Sequence, residues 1–164
     1  MPKKPLIILA VNPGTRYLGF SAFRGPELLD WGVKVVSGKT RSRKLGSIQV
    51  ILHDCLQLYA PDALAIKQLH PSRSSQGLNE LVKQIKAFSR RRGLKVYQYS
   101  IQDIKDTLCP KMKTNKRKLA ETLATMYPIL AHDLHCEQEN KNPYRIRMFE
   151  AVALGAVCYQ QLEK

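Results

Sequence analysis

The stretch Leu6-Ile-Ile-Leu-Ala-Val-Asn-Pro-Gly-Thr-Arg-Tyr-Leu-Gly-Phe-Ser-Ala-Phe23 decides how this chain is read. An apolar run ends at Asn12-Pro13-Gly14, and a second strand-like run begins at Tyr17. Proline presets a turn and glycine lets backbone approach closely, so Asn12 is a polar residue held at the end of a buried strand. That is a good place for site chemistry. Working outward, residues 27–36 read as a third strand, and Gly25-Pro26 turns the chain between the second and third. The three make an antiparallel meander.

Beyond a basic loop at 37–44, Leu45, Ile48, Leu52, Cys55, Leu56 and Tyr59 recur at helical spacing, which predicts a helix over about 43–59. Pro61 then breaks the chain, and residues 63–69 read as a strand buried on both faces. A helix over about 77–92 stops at Gly93, and residues 94–100 form a fifth strand. A short helix follows over 101–108, then one over about 115–126 that Thr114 would cap and Pro128 would end. Residues 131–143 read as loop, and a final helix spans roughly 144–162 with Met148, Ala151, Val152, Gly155 and Cys158 or Tyr159 on its buried face. The order predicts one domain over 1–164: an α/β layer fold on a five-stranded mixed sheet, three strands antiparallel and two parallel, flanked by helices. Right-handed crossovers make strands four and five parallel to strand one, which brings Asn12 and the Lys67-Gln68 region side by side at their carboxyl ends.

Charge bounds the partners. The chain has 164 residues and a formal net charge of +14, a field that favours polyanions. An apolar N-terminal run of about eight residues is too short to span a bilayer, and no signal-peptide pattern follows it. Cys55, Cys109, Cys136 and Cys158 form no CxxC pair, which fits a reducing cytoplasm.

Taken together, the strand-end NPGTRYLGFSAF, the strand DALAIKQL and the late helix MFEAVALGAV resemble the RuvC-like branch of the ribonuclease H-like superfamily. RuvC-type proteins are Holliday junction resolvases, dimers that cut branched DNA with divalent metal. Their motif is a strand-end Asp-Pro-Gly, a fourth-strand Glu in A-[IV]-E, and an Asp in the last helix in a D-A-hydrophobic-A pattern. Carried over by position, Asn12 stands for the first Asp, Lys67 for the Glu and Glu150 for the last Asp. Some relatives carry another acid one turn before the last; here that residue is Arg147. A homodimer is implied by the resemblance alone.

These replacements predict impaired catalysis. Two-metal cleavage needs anionic oxygens to hold Mg²⁺ or Mn²⁺, hard cations that want carboxylates. Asn12 offers only a neutral carbonyl. An ammonium at Lys67 some 4 Å from a dication would be repelled by roughly 8 kcal/mol at an effective dielectric near 20. No metal or other cofactor is expected as written, and Mg²⁺ or Mn²⁺ is expected only if the protein is active. Lys67 is expected instead to take the metal's place, pairing with Glu150 and bonding Asn12. A Lys67 turned to solvent is the simpler alternative, and strand alternation does not decide between them. Surface solvation is the simpler account of Asp62, Asp103, Asp106, Asp133, Glu137 and Glu139, and a loop position without a role that of His70. His132, Asp133, His135 and Cys136 lie too close together in sequence to make an ordinary zinc site.

Basic residues gather near Arg41, Arg43 and Lys44, near Arg90-Arg91-Arg92 and Lys95, around Lys113, Lys116, Arg117 and Lys118, and at Arg145 and Arg147. Cations at helix starts are poor dipole partners, so the last two groups point to phosphate contact. Arg16 and the loop carrying Arg73 flank the same strand ends. The expected function is nucleic-acid binding, DNA first, by a RuvC-like pseudoenzyme of recombination and repair. An active structure-selective endonuclease built on Glu150 with unconventional ligands, and an RNA-binding or protein-interaction module, stay open.

Overall fold

In a computed structural model, residues 4–70, 74–110, 115–140 and 143–163 are described. Five strands form one sheet: β1 (Ile7–Asn12), β2 (Tyr17–Arg24), β3 (Glu27–Val35), β4 (Ala63–Lys67) and β5 (Lys95–Tyr99), in the order β3-β2-β1-β4-β5. β1, β2 and β3 pair antiparallel, whereas β4 pairs parallel to β1 and β5 parallel to β4. This is the expected mixed sheet. Among the described residues six α-helices, numbered in chain order, flank it: α1 (Arg41–Tyr59), α2 (Gln76–Arg91), α3 (Ile101–Leu108), α4 (Lys116–Met126), α5 (Ala131–Asn140) and α6 (Pro143–Leu162).

The two sheet faces bury different cores. Leu9, Val11, Leu64 and Ile66 point toward Ile48 and Leu52 of α1 and Leu81 and Ile85 of α2. On the opposite face, Ile8, Ala10, Ala63 and Ala65 meet α6. Three alanines in that group leave little side-chain bulk, so α6 packs closely on the strands. A Cβ added at Gly19 would overlap the Arg147 carbonyl oxygen, and one at Gly155 would overlap the Phe23 ring. Ser21 fastens the contact, its hydroxyl donating to the Ala151 carbonyl at 2.8 Å. Residues 148–158 of α6 are buried throughout rather than along one stripe, because α3, α4 and α5 cover the side turned away from the sheet. A helix apolar all round is the sequence form of such burial.

Several assignments differ from expectation. Residues 131–140 are helical, not loop. Their sequence AHDLHCEQEN has no apolar stripe, so periodicity does not reveal the helix. A tertiary bond holds it instead: the Trp31 indole donates to Asp133 at 3.0 Å, across 102 residues of chain. Thr114 lies outside the described residues, and the N-cap of α4 is Asn115, whose side chain accepts from the Lys118 amide at 2.9 Å. α1 starts slightly earlier than its periodicity implies, because Thr40 caps it through the Arg43 amide. Among the described residues, no helix is long and apolar enough to cross a membrane.

Candidate functional site

Parallel pairing aligns the carboxyl ends of three strands. Val11 sits opposite Ile66 and Lys67 opposite Tyr99, so Asn12, Lys67 and Tyr99 lie in a row at one sheet edge. Alternation puts the Lys67 side chain on the same face as Ala63 and Ala65, toward α6. α6 brings Glu150 to meet it. The Lys67 Nζ lies 2.8 Å from Glu150 Oε2, and the Asn12 Nδ2 donates to the same oxygen at 2.8 Å. Asn12 also donates to the Arg147 carbonyl at 3.3 Å, which ties the end of β1 to α6. Asn12 is 2 % exposed and Glu150 3 %, while the Lys67 side chain retains 24 %. A buried carboxylate therefore has a charge partner and a neutral donor, as burial of an ion requires. Asn12 reaches Glu150 rather than Lys67.

Arg147 stands one turn before Glu150. Its guanidinium reaches back over the β1–β2 turn, with Nη1 3.4 Å from the Pro13 carbonyl. Gly14 is needed beneath it, since a Cβ there would sit 2.6 Å from the Tyr17 carbonyl oxygen and against the guanidinium. The site thus carries two cations around one carboxylate.

A cleft of about 860 Å³ opens above this cluster, and Glu150 is the single acid among the described residues that line it. Four of the other acids are engaged elsewhere, and Glu137, expected at the solvated surface, instead buries its Oε2 without a hydrogen-bond partner among the described residues. Asp62 accepts from the Ile7 amide, Asp103 completes a capping box with Ser100, Asp106 accepts from Gln102, and Asp133 accepts from Trp31 and lies 3.9 Å from Arg145. Among the described residues no three His, Cys, Asp or Glu side chains are grouped to hold a metal ion. His132 and Cys136 approach at 3.5 Å, a pair and not a ligand set. The donors present do not fit a divalent-metal centre: the single carboxylate at the strand ends already has an ammonium on one of its oxygens.

Of the expected phosphate-binding residues, Lys116 and Arg147 line the cleft; His70, expected to have no role, is also part of its lining. Arg16 lies exposed in the β1–β2 turn, Arg41 and Arg43 exposed and Lys44 half-buried in the first turn of α1, and Arg117 and Lys118 exposed in the first turn of α4. Arg117 lies 3.7 Å from Glu121, and Arg145 is turned toward Asp133. Arg73 and Lys113 lie outside the described residues. The sequence reading missed Lys105 of α3, which also lines the cleft. The signal was present: Ser100-x-x-Asp103 is a capping box that starts α3 at the end of β5, next to the strand ends that carry the site.

A mixed five-stranded sheet with a polar cluster where β1 and β4 end, closed by a buried helix, defines the ribonuclease H-like architecture of the resolvases. The chain belongs to the crossover junction endodeoxyribonuclease RuvC family, whose model matches residues 8–138. It is 25% identical over 134 residues to the RuvC of Hahella chejuensis, covering 77% of each chain. Its fold matches the Thermus thermophilus RuvC structure, alone and in complex with Holliday junction substrate, at a TM-score of 0.72 with 16% identity and 96% coverage of both chains. The yeast mitochondrial Holliday junction resolvase Ydc2 matches at a TM-score of 0.64 with 12% identity, covering 98% of this chain and 81% of that one.

Proposed function

We propose that this protein is a RuvC-family member that binds branched or duplex DNA and does not cut it as written. One observation carries the reading: a single oxygen of Glu150 takes both the Lys67 ammonium and the Asn12 amide. Family nucleases need acids here to hold Mg²⁺ or Mn²⁺, and an ammonium fills the position between strand ends and last helix that such an ion would need. The remaining acid is neutralised in place, with no free anionic cradle left. Family membership and the charge of +14 support DNA as the ligand, as does the junction-bound state of the Thermus relative. Four free cysteines suit a cytoplasmic setting, and a homodimer belongs to the same reading through the family.

The test is cleavage of a labelled four-way junction in Mg²⁺ and in Mn²⁺. The wild type binds and leaves it intact. Asn12→Asp with Lys67→Glu restores two carboxylates beside Glu150, and calorimetry then detects Mn²⁺ binding that the wild type lacks. Cutting by the wild type, abolished in Glu150→Ala, defeats the proposal and establishes an active endonuclease with unconventional ligands.

A further inference from the structure

The three residues that do not fit a divalent ion do fit another kind of chemistry. Lys67 puts a primary amine at the end of β4, and 24 % of its side chain stays open where it lines the cleft. An amine so placed attacks carbonyl carbon once it has shed a proton, and a lysine Schiff base results. Glu150 Oε2, 2.8 Å away, is in position to take that proton. The Asn12 amide donates to the same oxygen, so the carboxylate keeps a donor when the amine moves off.

The setting favours this use of the pair. One partner is buried and the other opens into a space of about 860 Å³, room for a nucleotide unit with its phosphate. An iminium on Lys67 carries the same positive charge as the ammonium it replaces, so the buried carboxylate is never left beside an uncharged neighbour while itself ionised. Lys105, Lys116 and Arg147 share the cleft, which suits a carbonyl delivered on a polyanion.

We infer that Lys67 is the nucleophile of a lyase that opens DNA at a deoxyribose that has lost its base. Such a sugar equilibrates with a ring-opened aldehyde, the carbonyl the amine needs. The DNA ligand rests on the function proposed above, and the lyase goes beyond it; an undamaged junction offers no aldehyde and stays intact. Glu150 takes a proton from the ammonium, and the Nζ lone pair bonds to the aldehyde carbon. A proton passes from nitrogen to the new alkoxide, Glu150 returns its proton to that hydroxyl, and water leaves as the iminium forms. Glu150, a carboxylate again, removes a proton from the adjoining sugar carbon, and the C–H electron pair becomes an enamine double bond. The enamine drives a pair toward the next carbon, whose bond to the 3′-phosphate oxygen breaks; that oxygen keeps the bonding electrons, and the phosphate takes the proton from Glu150. Water then hydrolyses the conjugated iminium, freeing an unsaturated aldehyde end and restoring the ammonium. One water is released and one consumed, and no oxidant or reductant is needed.

The experiment incubates the protein in EDTA with a labelled duplex carrying one abasic site, with and without sodium borohydride. With it, the wild type gives a covalent protein–DNA adduct on denaturing gels, and mass spectrometry places the reduced adduct on Lys67. Without it, the strand is cut to the unsaturated aldehyde end. A duplex with the tetrahydrofuran analogue, which has no aldehyde, gives neither product. Lys67→Arg keeps a cation beside Glu150 but cannot form the imine, and loses adduct and scission while still binding the duplex by fluorescence anisotropy. Glu150→Gln slows scission about a hundredfold. Lys95→Arg, at the opposite end of β5 from the cleft, is without effect. Circular dichroism checks that each variant is folded. An adduct spread over several lysines, or undiminished in Lys67→Arg, is adventitious amine chemistry and overturns the inference. A wild type that binds the abasic duplex and yields no adduct overturns the lyase and leaves the DNA reading standing. A wild type that binds no DNA defeats that reading and the lyase with it.

Discussion

Replacing Lys67 by Met isolates what the cation does for the fold. The aliphatic stem is kept and the ammonium removed, which leaves Glu150, 3 % exposed, with the Asn12 amide as its remaining donor in the cluster. At 2.8 Å and an effective dielectric near 20, the gross attraction of the pair is about 6 kcal/mol. Desolvation costs several kcal/mol per ion and cancels most of that, so the intact pair contributes little net stability. Removing one member is different, because the other ion stays desolvated. Such truncations cost about 3–5 kcal/mol, and the 24 % exposure of Lys67 places this one at the low end, about 3 kcal/mol. For a chain of this length that lowers Tm by roughly 6–12 °C. Urea unfolding followed by circular dichroism at neutral pH reads the loss. The companion variant Lys67→Met/Glu150→Gln removes both charges and recovers most of the stability, since a neutral amide can share hydrogen bonds with Asn12. A Lys67→Met protein within 0.5 kcal/mol of wild type, or a double variant no better than the single, refutes the picture of Glu150 as a buried ion held by Lys67.

Gly155→Ala drives a methyl into the Phe23 ring and costs about 1–3 kcal/mol in chemical denaturation, while Gly19→Ala, which meets the rigid carbonyl of Arg147, costs more. Burial pushes the Glu137 carboxyl above its ordinary 4.5, opposed by Arg145. The folded state therefore favours the protonated acid, and that stability is fully present below 4.5 and lost as pH rises through the raised value. Glu137→Gln accordingly melts higher than wild type at pH 7 and no higher at pH 4, by thermal scans. Burial raises the Cys55 thiol and pushes Cys158 up to about 11, and Cys109 is also buried. Ellman's reagent at pH 8 should titrate Cys136 promptly and the other three only after unfolding.

The meeting of Asn12 with the region of Lys67 was legible because two local facts suffice: each ends a strand, and a right-handed crossover makes those strands parallel. Which way Lys67 points was not legible. β4 is apolar on both faces, so alternation offers two equal answers, and only the alanines on the α6 side leave room for a lysine stem. Lys105 escaped for another reason. It belongs to no basic cluster along the chain, whereas the cleft collects its cations from four elements far apart in sequence. α5 escaped because helical periodicity reports an apolar stripe, and this helix is anchored by a hydrogen bond to a distant tryptophan.

The close seating of α6 on β1 and β2 has a consequence for biogenesis. A nascent chain that has emerged as far as α5 can pair its strands and cover one face with α1 and α2, yet the opposite face stays bare until the last helix arrives. Translation leaves that intermediate sticky for as long as the ribosome needs to add some twenty further residues, at about 5–20 residues per second. Holdase chaperones should meet this protein at that moment, and slow codons ahead of α6 should lower its soluble yield.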